Sequence, residues 1–234
     1  QRAAQLSKAD LVTNMVLEFS DMQGIAGSYY AQHDGEESDV ASALAQQYWP
    51  KVAGDRLPET PTACALGLAD RMDTLVGIFG IGQSPTGSKD PFALRRTSLA
   101  VLRIIVEKNL DLDLRECLKL AASQYPENII RAGTPELVLE YMIERFRAWY
   151  EEANIPAEIF KAVSAKALSR PLDIHRRVQA VHAFSLLPQA QALATANKRV
   201  SNILGKLDSD YSFGDVNANL LVEPQEKALG ERLD

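Results

Sequence analysis

The clearest chemical content lies in one stretch, Gly77–Asp90, GIFGIGQSPTGSKD, and in the helix start that follows it. Gly80, Gly82 and Gly87 remove side chains that would hold a backbone away from a ligand. A helix beginning just beyond them offers free N–H groups, so the pattern invites a phosphate. Two features restrain that reading. The G-x-x-x-x-G-K-[ST] order of a nucleotide loop is missing, and no strand pattern precedes the stretch. Asp90-Pro91 also sets a carboxylate where it competes with an anion for the same N–H groups, beside a proline suited to a first helical position. Side chains are then left to meet an anion: Lys89, Arg95 and Arg96, with Arg103 two turns further along the helix. A structural turn and a surface for an RNA backbone both remain open.

A second basic set comprises Arg170, His175, Arg176 and Arg177, then Lys198, Arg199 and Lys206. Residues 199, 202 and 206 share a helix side opposite the apolar stripe Val200, Ile203, Leu204 and Leu207. Such a face can take phosphates through guanidinium and ammonium groups, or can be plain solvated surface. No Ser-His-Asp or Cys-His arrangement has a persuasive local context, and no catalytic residue is assigned. Phe146, Trp149 and Tyr150 read as a core stripe, Tyr29-Tyr30 and Tyr48-Trp49 as packing, and Glu36-Glu37 and Glu151-Glu152 as solvated helix ends.

The elements that must position these residues are helices. Leu6, Leu11, Val12, Met15, Val16 and Phe19 predict a helix over 3–19, and Val40, Leu44 and Tyr48 another over 38–49, with Ser38 or Asp39 as its cap. Pro58 and Pro61 precede a third over 62–79. Asp90-Pro91 opens a helix to about Lys108, and a further one spans 114–125. Thr134-Pro135-Glu136 opens a long amphipathic helix to about Ala153. Pro156 and Pro171 start two more, and Pro188 precedes the helix 189–207. Residues 208–234 lose the pattern. The composition shifts near Pro126–Pro135, which divides an all-α chain into parts 1–130 and 131–234.

Bulk properties narrow the function classes. With 234 residues, 46% hydrophobic and 24% charged, the chain can bury a large core. Its net charge of −6 gives no global basic field, so nucleic acid would be met by local clusters. Cys64 and Cys117 sit in apolar runs and read as buried thiols without disulfide or metal spacing. No apolar run approaches the ~20 residues of a membrane span and no signal peptide is visible, so a cytoplasmic location without membrane contact is expected. The helical pattern opens without an initiator Met, as in a piece of a longer protein.

His33-Asp34, with Asp70 in LADRMD (Leu68–Asp73), resembles the metal-binding elements of HD-superfamily hydrolases. Imidazole and carboxylates of that kind hold a divalent ion that activates water. The polar turn Gly35-Glu36-Glu37 follows the dipeptide, and the other histidines, His175 and His182, lie far along the chain. A metal-dependent phosphohydrolase is therefore the minor alternative, and no metal ligand is assigned.

Five blocks resemble the β subunit of the heterotetrameric bacterial glycyl-tRNA synthetase: Leu6–Glu36, Ala69–Lys108, ERFRAWY (Glu144–Tyr150), PLDIHRRVQAV (Pro171–Val181) and ANKRVSNIL (Ala196–Leu204). The resemblance implies an HD-like helical domain over 1–130 and a helical anticodon-binding domain of the DALR type over 131–234, truncated before its final helices. It implies a tRNA-binding part of an aminoacylating ligase. Its partners would be tRNA(Gly) and a catalytic α subunit in an α2β2 assembly, with ATP and Mg used by that α subunit and no cofactor held here. The basic residues it favours for tRNA are Lys89, Arg95, Arg96 and Arg103 in the first part, and Lys198 and Arg199 in the second. Independent aminoacylation by this chain is not expected. A structural module that holds the α subunit is the third reading.

Overall fold

The computed structural model describes residues 1–126, 128–206 and 220–233. These residues form twelve α-helices, and no strand occurs among them. In chain order the helices are α1 (Arg2–Leu6), α2 (Asn14–Glu18), α3 (Ile25–His33), α4 (Ser38–Gln46), α5 (Pro61–Gly80) and α6 (Leu94–Glu107). They continue with α7 (Leu114–Ala122), α8 (Thr134–Glu152), α9 (Ala157–Ser164), α10 (Pro171–Ser185), α11 (Ala190–Leu204) and α12 (Pro224–Leu233). The chain divides into two compact units, Gln1–Ala183 and Phe184–Asp234.

Helix α5 is the spine of the first unit. Thr60 caps it by accepting the Ala63 N–H, and Pro61 occupies its first turn, where a missing donor costs nothing. Its first turns pack Ala63 and Leu66 against Ala3, Ala31, Val40, Ala41, Ala43 and Leu44 of α1, α3 and α4. The small side chains of this cluster let helix backbones approach closely. The later turns of α5 carry Leu68, Met72, Leu75, Val76 and Phe79 into a second, larger cluster. There they meet Leu102 and Ile105 of α6, Leu118 of α7, Val138, Met142 and Phe146 of α8, Phe160 of α9 and Val178 of α10. This one core runs uninterrupted across residue 130.

Arg71 joins the two halves of α5's surroundings. It is buried, and its guanidinium donates to the carbonyls of Gln47 (2.7 Å), Gly67 (2.9 Å) and Trp49 (2.8 Å). The Gln47 carbonyl is at the C-cap of α4, where carbonyls lack helical partners and the helix dipole is negative, and the Trp49 carbonyl begins the following loop. Burial lowers the Arg71 pKa from its ordinary value, opposed by the charge of Asp70. The carbonyl dipoles supply the compensation that the buried cation requires.

Two stretches depart from the expected pattern. The helix expected over 3–19 is broken: Lys8 turns left-handed, and Asp10 points inward to accept the Gly24 N–H at 2.6 Å. A 3-10 turn follows at Ala9–Val12, and Thr13 then caps α2 by accepting the Val16 N–H. Satisfying a buried carboxylate overrides the helical spacing here, and Val12, Leu17 and Phe19 remain exposed. At the other end, the segment expected to lack pattern holds α12, while residues 207–219 lie outside the described residues. Cys64 is buried as expected, but Cys117 is only half-buried.

Phe146, Trp149 and Tyr150 form the expected stripe of α8, with Phe146 and Tyr150 buried and Trp149 half-buried. The Tyr150 hydroxyl lies 2.9 Å from His175 Nδ1, within an aromatic group that includes Phe160. A neutral imidazole protonated on Nε2 accepts this bond, which a protonated one cannot.

Two outcomes follow from this packing. Arg71→Met leaves the Gln47, Trp49 and Pro50 carbonyls without their donor and should lower unfolding free energy by about 3 kcal/mol in urea titration with an unchanged m-value. Burial holds the His175 pKa below 6.5, so the folded chain binds fewer protons than the unfolded one in mild acid. The His175 contribution is therefore present above pH ~6.5 and is lost as pH falls toward the folded value. Equilibrium unfolding measured between about pH 7 and pH 5 should show a smaller acid loss in His175→Gln.

Candidate nucleic-acid interface

The glycine-rich stretch ends α5 and turns the chain toward α6. Gly82, with φ +78°, donates its N–H to the Phe79 carbonyl, and Gln83 donates to the Ile78 carbonyl. This paired closure satisfies the last carbonyls of α5 and needs a residue without Cβ strain in the left-handed region. Gly80 serves a different end: a Cβ there would collide with Ile130 Cδ1 and stand 3.3 Å from Ile130 Cα. The Arg131 N–H reaches the Gly80 carbonyl at 3.3 Å. The glycines thus admit the segment before α8, and the close approach they permit is taken up by protein.

Asp90 then occupies the start of α6. Its carboxylate accepts the N–H groups of Leu94 (2.8 Å) and Arg95 (3.0 Å). The helix begins at Leu94 rather than at Pro91, because Pro91–Ala93 form a turn that ends with Ala93 in the left-handed region. The competition between carboxylate and anion expected from Asp90-Pro91 is settled in favour of the carboxylate.

The four basic residues in and after the loop are differently placed. Lys89 is exposed on a four-residue turn closed by reciprocal backbone bonds with Thr86. Arg95 is half-buried and donates from Nη2 to the Gly87 carbonyl, bracing that turn. Arg96 is exposed and, with Arg103, lines a hollow of about 450 Å³ walled by Pro50, residues 52–54, Leu99, Trp149 and Glu152. Arg103 is held in place: Nε donates to Glu107 (2.7 Å) and Nη2 to the Asp55 carbonyl (3.1 Å).

The loop 50–56 has a second basic side that the sequence reading passed over. Arg56 lies over the Trp49 ring with its Cζ 3.5 Å from the ring centroid, a cation–π contact. Lys51 lies beside them in a separate hollow of about 380 Å³ that also includes Tyr29. The Asp55 carboxylate accepts the Lys51 and Arg56 N–H groups, each at 2.8 Å. Those bonds, the Lys51 one foremost, hold its pKa below the ordinary carboxylate value. Tyr29 and Tyr30, expected to pack, are exposed. The available signal was PKVAGDR (Pro50–Arg56), a Pro/Gly loop with a cation at each end directly after a tryptophan.

The later basic cluster is largely committed to the fold. Arg170 pairs with Asp111 (2.7 Å) and Asp113 (3.8 Å), Arg177 with Asp173 (2.9 Å), and His175 with Tyr150. In the second unit, Lys198, Arg199 and Lys206 are exposed on or just after α11. Val200, Ile203 and Leu204 of its apolar stripe are exposed too, and Leu207 lies outside the described residues.

Of the three residues of the metal reading, two are neighbours of each other and the third is paired elsewhere. His33 Nδ1 lies 3.2 Å from Asp34 at the exposed end of α3, while Asp70 on α5 pairs with Lys8. Among the described residues, no group of three His, Cys, Asp or Glu side chains is placed to hold a metal ion.

Comparison with known proteins matches residues 1–165 to the family described as glycyl-tRNA synthetase beta subunit. The glycine–tRNA ligase beta subunit of Actinobacillus pleuropneumoniae serotype 7 is 53% identical over 231 residues, covering 99% of this chain and 33% of that protein. The corresponding subunit of Chromohalobacter salexigens is 55% identical over 233 residues, 100% of this chain and 34% of the relative. That of Pseudomonas aeruginosa is 56% identical over 229 residues, 98% and 33%. The chain spans about a third of the length of these curated relatives.

Removing the Asp90 carboxylate tests its structural role directly. Asp90→Ala should cost about 1 kcal/mol and lower the melting temperature by about 3 °C, with Asp90→Asn falling between, as followed by circular dichroism.

Proposed function

Because the chain belongs to the glycyl-tRNA synthetase beta subunit family, we propose that it is a tRNA-binding portion of that ligase. It supports the ATP-dependent attachment of glycine to tRNA(Gly) by a catalytic α subunit in an α2β2 assembly. The observation that carries the reading is the family match over residues 1–165. In this reading ATP and Mg are used on the α subunit, and this chain supplies no catalytic side chain. The reading divides it into an HD-like part, 1–130, and a DALR-type anticodon-binding part, 131–234; the core of the first unit crosses residue 130 and takes in residues as far as Val178. The setting is the cytoplasm. No helix among the described residues is long and apolar enough to cross a membrane.

The surface chemistry supports a phosphate-backbone contact rather than a nucleotide cradle. Asp90 fills the helix start, so Lys89, Arg95 and Arg96 meet phosphates as side chains, and Arg103 is the anchored member beside Arg96. On the second unit, Lys198 and Arg199 are the contacts assigned to the anticodon arm. With a net charge of −6, attraction must come from such local faces.

Binding to tRNA(Gly) measured by fluorescence anisotropy between about 50 and 200 mM KCl should weaken steeply with salt. Arg95→Gln/Arg96→Gln should weaken binding about tenfold and reduce the log–log salt slope by about one to two, near 0.9 per lost phosphate contact. Lys198→Gln/Arg199→Gln should act similarly, whereas Lys161→Gln on α9 should change neither. Unchanged affinity and slope in both double variants would remove the assigned contacts.

A further inference from the structure

We propose that the hollow formed by Tyr29, Trp49, Lys51 and Arg56 is a binding site for an unpaired nucleobase with its phosphate. The proposal rests on the RNA-binding reading above and adds a site on the other side of loop 50–56. Four observations converge. The hollow, about 380 Å³, lies within the size range of small-ligand clefts. It has two aromatic side chains, and Tyr29 is 65% exposed, well beyond what core packing requires. Its two cations stand against one carboxylate, Asp55, whose oxygens are spent on the backbone N–H groups of Lys51 and Arg56. Ser28 and Gln32 add neutral polar groups suited to base edges.

The parts are pre-positioned. Arg71 holds the Trp49 and Pro50 carbonyls from below, which fixes the start of the loop. Arg103 holds the Asp55 carbonyl near its end. Arg56 already stacks on the indole, so a planar base extends an existing stack, while the guanidinium and Lys51 offer charge to its phosphate. Every base has a π-face, so recognition of this kind tolerates sequence. The same loop walls the Arg96–Arg103 hollow with Pro50 and residues 52–54, so a strand whose phosphates follow α6 passes beside this site.

The test binds the full chain to a single-stranded hexaribonucleotide carrying one 4-thiouridine, irradiates it and maps the crosslinked peptides by mass spectrometry. Anisotropy measures the affinity of the same oligonucleotide for Tyr29→Ala, Arg56→Gln and Trp49→Leu. Crosslinks at Tyr29 or Trp49 are expected, with about tenfold weaker binding in each variant and an unaltered melting curve in Tyr29→Ala. Adenosine monophosphate serves as competitor: displacement of the oligonucleotide identifies a free nucleotide as a second source of the ligand, and no displacement restricts it to RNA. Crosslinks confined to other regions, or unchanged affinity in both Tyr29→Ala and Arg56→Gln, would overturn the site. If those two variants keep tRNA(Gly) binding while Arg95→Gln/Arg96→Gln loses it, this hollow fails and the wider RNA reading stands. The reverse result removes the α6 face alone.

Discussion

The buried guanidinium of Arg71 is the constraint on which the arrangement of the first unit depends. A cation withdrawn from water needs several well-placed acceptors, and here they are backbone carbonyls at the end of α4 and the start of the following loop. One side chain on the α5 spine therefore does three things. It closes α4, fixes where Trp49 and Pro50 sit, and joins the alanine-rich cluster to the larger core. The loop 50–56 springs from this anchor and is tied down again by Arg103 of α6. Both hollows proposed to meet RNA are walled by that loop, so their geometry follows from a buried polar contact and not from local sequence preference.

A second device governs the glycine-rich turn. Gly80 and Gly82 remove Cβ atoms that would collide with Ile130 and Arg131, and the segment leading into α8 closes over the end of α5. Asp90 fills the start of α6 in the same region. Backbone N–H groups that in other settings receive a phosphate are thus satisfied internally, which leaves side-chain charge as the chemistry available at this surface. Arg95 and Arg103 are partly committed to bracing carbonyls, while Lys89 and Arg96 are exposed. Braced cations lose less freedom on meeting an anion, and exposed ones reach it first.

Much of this was legible in the residues. Proline and capping signals place α5 and α8 closely, and Asp90 was readable as a competitor for anions before any coordinates. Three features were not. The break of the first helix depends on Asp10 reaching Gly24, a contact between residues fourteen apart. The clamp of Arg71 is invisible because an arginine in a helix reads as solvated surface until the acceptors around it are known. The Trp49–Arg56 stack joins residues on either side of a Pro/Gly loop, where no periodicity links them. Family resemblance pointed to a function, and packing showed which cations near loop 50–56 and α6 are braced and which are exposed.

The central claim is that loop 50–56 and the start of α6 form one RNA-facing surface organised by α5. Hydrogen–deuterium exchange of the chain with and without tRNA(Gly) tests it most directly. The account expects slower exchange of backbone amides within 50–56 and 86–97 in the presence of tRNA, with little change along buried α5. Protection confined to other segments, or no protection under conditions where tRNA is bound, would contradict it.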